Sequence, residues 1–579
     1  MRFFDKTLLI LSFCWLCGSA LLATDVDELG GWESEALSSE VDSVLKEVAS
    51  LLAGSEWKQS ESWEAVLHEE FSGAALLPVT IEVVIEDDRF KVSRGRVEDA
   101  EFTLESDLVK ALSAVFDRID ILDAKIAAKF KLFGIEPDAD GKGAVTRQWL
   151  SLKADGSEQS QEQNAVWEMT WRKEGASSSP QLLSARVLSF EEVRFTGREG
   201  APLLFSDLTE SVMEGVAAFE DQLKLGTNYW LERMENRFPL YYYGNQGIAL
   251  GDIDNDGLDD VYVCQPGGLP NRLFHHQSDG SVEDVTAEAG LDFLDYTRSA
   301  LVLDLDNDGD QDLALATLDG LLLLENNGSG KFSTRKIIPA GRGALSMSAA
   351  DFDQDGLVDL YLCKYFADRS QEGEFALPLP YHDANNGGGN LLLRNVGGFE
   401  FSDETDSSGL GDNNYRFSFA ASWEDFDNDG DQDLYVANDF GRNSLYRNDA
   451  GRFSDVAAEL GVEDLSAGMS VTWGDVNQDG WMDLYVSNMF SAAGNRIAYQ
   501  RQFQSELESG TREAFQRHAR GNSLFLNQRG ERFIDASIDS GTTLGRWAWS
   551  SLIADLNADG KEDILVANGY ITGRRLDDL

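Results

Sequence analysis

One nine-residue phrase, Asp-x-Asp/Asn-x-Asp-Gly-x-x-Asp, occurs six times between residues 252 and 563, each copy running straight into a short apolar stretch. The copies open at Asp252, Asp304, Asp351, Asp425, Asp475 and Asp555. Carboxylates at the first, third, fifth and ninth positions of a tight turn can converge on one point. A glycine at position six lets the backbone turn sharply enough for the carbonyl of position seven to face inward. The result is an oxygen-only cage, which suits a hard divalent cation such as Ca2+. Carboxylates crowded this closely repel one another without a cation.

The expected ligands follow from position. Loop one offers Asp252, Asp254, Asp256, the Leu258 carbonyl and Asp260. Loop two offers Asp304, Asp306, Asp308, the Asp310 carbonyl and Asp312; loop three offers Asp351, Asp353, Asp355, the Leu357 carbonyl and Asp359. Loop four has Asp425, Asp427, Asp429, the Asp431 carbonyl and Asp433. Loops five and six place Asn at position three. Their sets are Asp475, Asn477, Asp479, the Trp481 carbonyl and Asp483, then Asp555, Asn557, Asp559, the Lys561 carbonyl and Asp563. Up to six Ca2+ ions are expected, held more weakly in the last two loops.

A helix–loop–helix calcium hand needs a bidentate Glu at its twelfth position. Here that place holds Val263, Leu315, Leu362, Val436, Val486 and Val566, all strand formers. The starts lie 52, 47, 74, 50 and 80 residues apart. A period near fifty that holds several strands points to propeller blades. Each repeat runs a small or apolar strand into the loop and a second strand out of it. A third strand reads Asn-x-Leu-x-x-Asn, as at Asn390–Asn395, Asn443–Asn448 and Asn522–Asn527, and a fourth opens at Phe401, Phe453 or Phe533. The outer strands of blade two, around Leu321 to Phe332, read as degenerate.

These features make residues from about 240 to 579 resemble the FG-GAP/VCBS repeats of integrin α-chain-type propellers. They are most similar to the secreted family typified by cartilage acidic protein and its bacterial relatives. The stretch from Ser470 to Asn488 carries the likeness most clearly. The resemblance implies a mainly β, calcium-binding propeller with six recognisable repeats and six or seven blades, preceded by a smaller α+β domain.

The net charge is −54, from 102 acidic against 48 basic residues. Even six divalent ions would offset only a minority of that charge. The acidic surface argues against nucleic acid or an anionic membrane as partner. Met1 to Lys6 is followed by an uncharged run, Thr7 to Ala23, with small residues near its end. This reads as a secretory signal over 1–23 and predicts a secreted or extracytoplasmic protein, periplasmic or at the cell surface if bacterial. No second membrane span is expected. Cys264 and Cys363 fall at places where other blades carry Ala or Ser, so free buried thiols are expected.

Residues 26–200 read as a separate α+β domain, a cone or roll resembling the NTF2-like fold. Leu108, Leu112, Val115, Ile119, Leu122, Ile126 and Phe130 recur at three and four, predicting one amphipathic helix. Thr80 to Val92 alternates like a strand, and Trp167, Met169 and Trp171 share one strand face. The propeller is expected over 201–579, with insertions near 366–389 and 491–521. The second insertion holds five Arg against three Glu. Its helix is expected to dock on an acidic patch of the same molecule; the alternative is a patch for an anionic partner. The last repeat supplies only two strands before Leu579. The segment Leu203–Thr209, which parallels the outer-strand runs, is expected to complete that blade, a seventh blade being the alternative.

The chain has five histidines, at 68, 275, 276, 382 and 518, and none lies in a zinc motif. There is also no Gly-x-Ser-x-Gly elbow and no phosphate loop. The sequence therefore predicts an adhesion or recognition module for an extracellular protein or glycan. The alternatives are a secreted hydrolase or lyase with its site in the propeller funnel or the N-terminal domain, and a structural component of matrix or envelope.

Overall fold

The computed structural model describes residues 32–569 apart from residue 88 and the ranges 97–106, 122–123, 139–141, 157–158, 176–177, 196–204, 226–228, 231–232, 234–245, 342, 368–376, 501–502 and 504–508. The expected signal at 1–23 lies outside these residues. The chain divides into two compact units. One comprises residues 1–202 with 499–506, the other 203–498 with 507–579.

In the first unit, helix α1 (Trp32–Ala53) buries Leu37, Val41, Val44, Leu45, Val48 and Leu52, a stripe at spacings of three and four. Helix α2 (Leu108–Phe116) begins at Asp107, whose carboxylate accepts from the Val109 amide at 2.9 Å. Seven strands make one sheet: β1 (Gly73–Ala75), β2 (Glu82–Glu86), β3 (Phe90–Arg96), β4 (Lys125–Pro137), β5 (Gly143–Asp155), β6 (Ser160–Arg172) and β7 (Gln181–Phe195). The order is β2-β3-β7-β6-β5-β4, with β1 parallel to β7. Helices and sheet share one core that includes Trp57, Trp63, Trp167, Met169 and Trp171.

The helix expected through Phe130 stops at Phe116, and Lys125–Pro137 is a strand. Ile126, Ala128, Phe130 and Leu132 turn inward while Lys125, Ala127, Lys129 and Lys131 stay exposed, a period of two that outweighs the looser helical spacing. The single strand expected over Thr80–Val92 is a hairpin. Asp87 turns the chain by accepting from the amides of Arg89 and Phe90.

The second unit is a succession of antiparallel sheets. Blade one comprises β8 (Ile248–Gly251), β9 (Asp260–Val263), β10 (Arg272–His276) and β11 (Val282–Asp284). Blade two comprises β12 (Thr297–Leu303), β13 (Asp312–Thr317), β14 (Gly320–Asn326) and β15 (Phe332–Ile338); its outer strands are fully formed, against the degenerate reading. Blade three has β16 (Ala344–Ala350), β17 (Asp359–Lys364), β18 (Leu391–Asn395) and β19 (Phe401–Asp403). Blade four has β20 (Ser418–Glu424), β21 (Asp433–Asn438), β22 (Ser444–Asn448) and β23 (Phe453–Asp455). Blade five has β24 (Gly468–Gly474), β25 (Asp483–Asn488), β26 (Ser523–Asn527) and β27 (Phe533–Asp535), and a last sheet pairs β28 (Ala548–Ala554) with β29 (Asp563–Asn568).

The first strands of successive sheets pack side by side, from β8 through β12, β16, β20 and β24 to β28. Each boundary has its own apolar core. Tyr262 and Leu273 meet Leu313 and Leu315, and Tyr361 and Leu392 meet Leu434 and Tyr446. Strands β17, β21 and β25 are buried along their whole length, so both faces are apolar. Fully burying one such Leu contributes about 1.5–3 kcal/mol. This radial stacking of four-stranded sheets is a β-propeller.

Asparagine ties the blades together. The Asn that closes each third strand donates its side-chain amide to the second loop residue of the preceding blade: Asn326 to the Ile253 carbonyl at 2.7 Å, and Asn395, Asn448 and Asn527 to Leu305, Phe352 and Phe426 at 2.8 Å. Blade one carries His276 in this place.

The expected completion of the last blade by Leu203–Thr209 is not found. Residues 203–204 lie outside the described residues, Phe205 to Leu208 form no strand, and Thr209–Val212 is a helical turn. The following segment instead covers the outer part of blade one, with Val216 and Ala218 against Phe274, Val261 and Val263. Its apolar positions follow a helical rather than an alternating spacing. Cys264 and Cys363 are buried, free thiols, and burial pushes each up to about 12.

Candidate metal centres

Each of the six nine-residue phrases forms a loop between the first and second strands of its sheet. Position four is left-handed in all six, with φ from 57° to 61°, and the glycine at position six is left-handed too, with φ from 82° to 97°. A side chain at position six would be strained, so the glycine is required by the turn. The position-one carboxylate holds the turn from inside. Asp425 accepts from the amides of Asp429 at 3.0 Å and Gly430 at 2.9 Å, and the other five loops repeat both bonds. The position-five carboxylate accepts from the amide of position seven in every loop.

The ninth residue anchors the loop to the blade. Asp433 is buried and accepts from the amides of Phe426 at 3.2 Å and Asn448 at 2.8 Å. Asp260, Asp312 and Asp359 are held in the same way. Asp483 is buried and accepts from the Asn527 amide at 2.8 Å. In the last sheet, Asp563 accepts from the Leu556 amide at 3.2 Å and is less buried.

Position three behaves differently. The Oδ1 atoms of Asp254, Asp306, Asp353 and Asp427 are all buried and have no hydrogen-bond partner. A buried carboxylate oxygen without a donor is costly, and four in one register call for a shared cause. In loops one to four the carboxylates of positions one, three and five lie close enough for one oxygen of each to sit within 4.8 Å of the others. A hard cation among them supplies the missing partner, so the donor set fits Ca2+. In loops five and six the equivalent oxygens belong to Asn477 and Asn557, and they accept from the Asp479 and Asp559 amides at 2.9 Å. Burial pushes the carboxyl of Asp359 up to about 7 and that of Asp433 up to about 8, with the neighbouring loop carboxylates adding to the effect.

The sequence reading missed that the loops hold one another. The position-four side chain of one loop donates to the next: Asn255 to Asp310 at 3.3 Å, Asn307 to the Gly356 carbonyl at 2.7 Å, Gln354 to Gly430 and Asp431 at 2.8 Å, and Gln478 to the Gly560 carbonyl. The recurrence of Asn and Gln at position four was the available signal. The Asp431 side chain is therefore not idle. It accepts from Gln354 and from the Ala450 amide at 2.8 Å.

The opposite ends of the second strands carry the insertions. Helices α3 (Ala492–Ala498) and α4 (Ser509–Ala519) pack together. Arg517 pairs with buried Asp464 at 2.7 Å and with Asp535, and Arg520 reaches Asp535 at 2.9 Å. Part of the arginine-rich insertion is thus docked on acidic residues of its own propeller. Tyr381 of the other insertion stacks with Phe515 and meets Phe440 and His518 edge-on. Burial pushes the His518 imidazole down to about 4. In the first unit, buried His68 accepts from the Glu70 amide at 3.1 Å, and Trp167 and Trp171 are core residues. No described helix is long and apolar enough to cross a membrane.

A sequence profile of the FG-GAP-like repeat matches residues 252–315, 304–362 and 425–486. Cartilage acidic protein 1 of Xenopus tropicalis is 31% identical over 127 residues, covering 21% of this chain and 20% of that protein. The human protein of the same name is 29% identical over 127 residues, covering 21% and 19%. The match thus spans about a fifth of the length of these relatives. Among solved structures, an Agrocybe aegerita lectin recognising non-reducing terminal N-acetylglucosamine aligns over 76% of this chain and 95% of its own at 12% identity, with a TM-score of 0.31. The chain thus carries FG-GAP-like repeats over residues 252–362 and 425–486, within stacked sheets that form a β-propeller.

Proposed function

We propose that this chain is a secreted recognition module whose propeller is held rigid by calcium and binds an extracellular protein or glycan. The observation that carries the reading is the row of buried, unpartnered position-three oxygens in loops one to four. Calcium there would neutralise the clustered carboxylates and lock the loop face. The opposite face, where strand two meets strand three, carries both insertions. Leu377, Leu379 and Tyr415 stand exposed around the first of them. An aromatic and aliphatic patch on a rigid scaffold suits recognition. The likeness to cartilage acidic protein over part of the chain supports an extracellular setting.

The test is a protein and glycan binding screen with the full chain, with calcium and after verified removal of all metal. The reading expects binding that needs calcium, weakens on Tyr415→Ala and leaves the ligand chemically unchanged. Binding that is indifferent to metal removal, or turnover of the bound ligand, would overturn it.

A further inference from the structure

The residue just before the blade-tying position of each third strand differs from blade to blade: His275, Glu325, Arg394, Arg447 and Leu526. These places are structurally equivalent. In every case the next residue's amide donates to the ninth carboxylate of its own loop, at 2.7 to 2.8 Å. Where the side chain is polar, it acts on position three of that loop. His275 Nε2 lies 3.0 Å from Asp254 Oδ2. Glu325 repels the Asp306 carboxylate, and Arg447 attracts that of Asp427. Leu526 brings no charge, and its loop has the neutral Asn477 at position three.

Blade three makes the contact directly. Arg394 Nε donates to Asp353 Oδ2, and Nη2 donates to Asp355 Oδ2 at 2.6 Å. One guanidinium therefore bridges positions three and five. The three side chains are half-buried, so solvent screens their attraction less than at an open surface. A guanidinium keeps its charge across the working pH range, and its planar fork holds two carboxylates at a fixed spacing. Asp353 Oδ1 stays buried and without a donor. The arginine thus takes the outer oxygens and leaves the inner one to a metal. Blade two is the opposite case. Its Glu325 pairs with Arg335 at 3.5 Å, and among the described residues no Lys or Arg pairs with Asp306 or Asp308.

We propose that Arg394 is a resident counter-ion that holds loop three closed without calcium, and that the residue at this place sets how far each loop depends on the metal. Loop two, with an anion there, is the loop that loosens first when calcium falls. This grading rests on the reading of the loops as calcium sites; the arginine contact does not.

Hydrogen exchange followed by mass spectrometry on the full chain reads the loops separately. In metal-free wild-type protein, residues 351–359 should exchange at least about tenfold more slowly than residues 304–312, and calcium should slow 304–312 the more. Arg394→Leu, which copies blade five, should erase that difference in metal-free protein and leave 304–312 as in the wild type. Calcium should restore the protection of 351–359 in the variant. Equal exchange of the two loops in metal-free wild-type protein would overturn the inference, whether or not the variant folds. Unchanged protection of 351–359 in metal-free Arg394→Leu would overturn it as well. Exchange that calcium alters in no loop would instead remove the calcium reading and the grading with it, and the arginine latch would then stand or fall on the metal-free comparison.

Discussion

Asn448 donates its side-chain amide to the carbonyl of Phe352 at 2.8 Å, across 96 residues of sequence and the boundary between blades three and four. The same amide donates to the Gln432 carbonyl at 3.1 Å. One buried side chain therefore ties a blade to its own loop and to the preceding one. Repetition of this contact at Asn326, Asn395 and Asn527 makes the propeller a chain of nearest-neighbour couplings.

Asn448→Ala should strand two carbonyls without a donor and cost about 2–4 kcal/mol. Denaturant unfolding should show a lower midpoint. A loss under 0.5 kcal/mol would mean that the apolar boundary, rather than the amide, couples the blades.

Asp427→Asn should have opposite effects with and without metal. Burial and the carboxylates of Asp429 and Asp425 raise the Asp427 carboxyl, so losing its charge relieves the cation-free loop. With calcium the same change removes a charged ligand and should weaken that site about tenfold, or about 1.4 kcal/mol. Melting in metal-free and calcium-loaded buffer would reveal the crossover. Destabilisation of equal size in both buffers would show that Asp427 is not a ligand.

Asp431→Ala should cost about 1 kcal/mol whether or not calcium is present, because its side chain accepts from Gln354 and Ala450. Calcium titration should give the same stoichiometry as the wild type. Loss of one calcium would make the position-seven carboxylate a ligand.

The ninth carboxylates predict the pH dependence of the metal-free protein. Burial is the largest cause of their shifts, which take Asp312 and Asp483 to about 6, Asp359 to about 7 and Asp433 to about 8. These folded values exceed the unfolded one of about 3.9. Their stabilising contribution is therefore complete below about pH 4 and is lost as pH rises through 6 to 8. The melting temperature of metal-free protein should fall between pH 5 and 8, and added calcium should cancel the fall. A metal-free melting temperature that is flat or rises over this range would contradict the assignment.

Arg517→Ala should cost about 3–5 kcal/mol, because it leaves the buried Asp464 carboxylate without its cation. Asp464→Asn in the same chain should recover more than half of that. Equal unfolding midpoints of single and double variants would show that the pair does not hold α4.

The loops and the repeat were legible because their chemistry lies within nine consecutive residues and recurs in one register. What joins the repeats was not. Asn395 and Asn448 are visible as pattern marks, but their acceptors, Leu305 and Phe352, lie in another blade. The helix expected through Phe130 failed because Ile126 and Phe130 satisfy periods of two and four alike. Phe205 to Thr209 resembles an outer strand in composition, yet the residues after it form helical turns against blade one.

The most direct measurement is calcium stoichiometry and affinity by titration calorimetry on metal-stripped full chain, with metal content checked by mass spectrometry. Calcium binding by at least loops one to four, with a raised melting temperature, is predicted. No calcium bound at millimolar concentration, with an unchanged melt, would contradict the account.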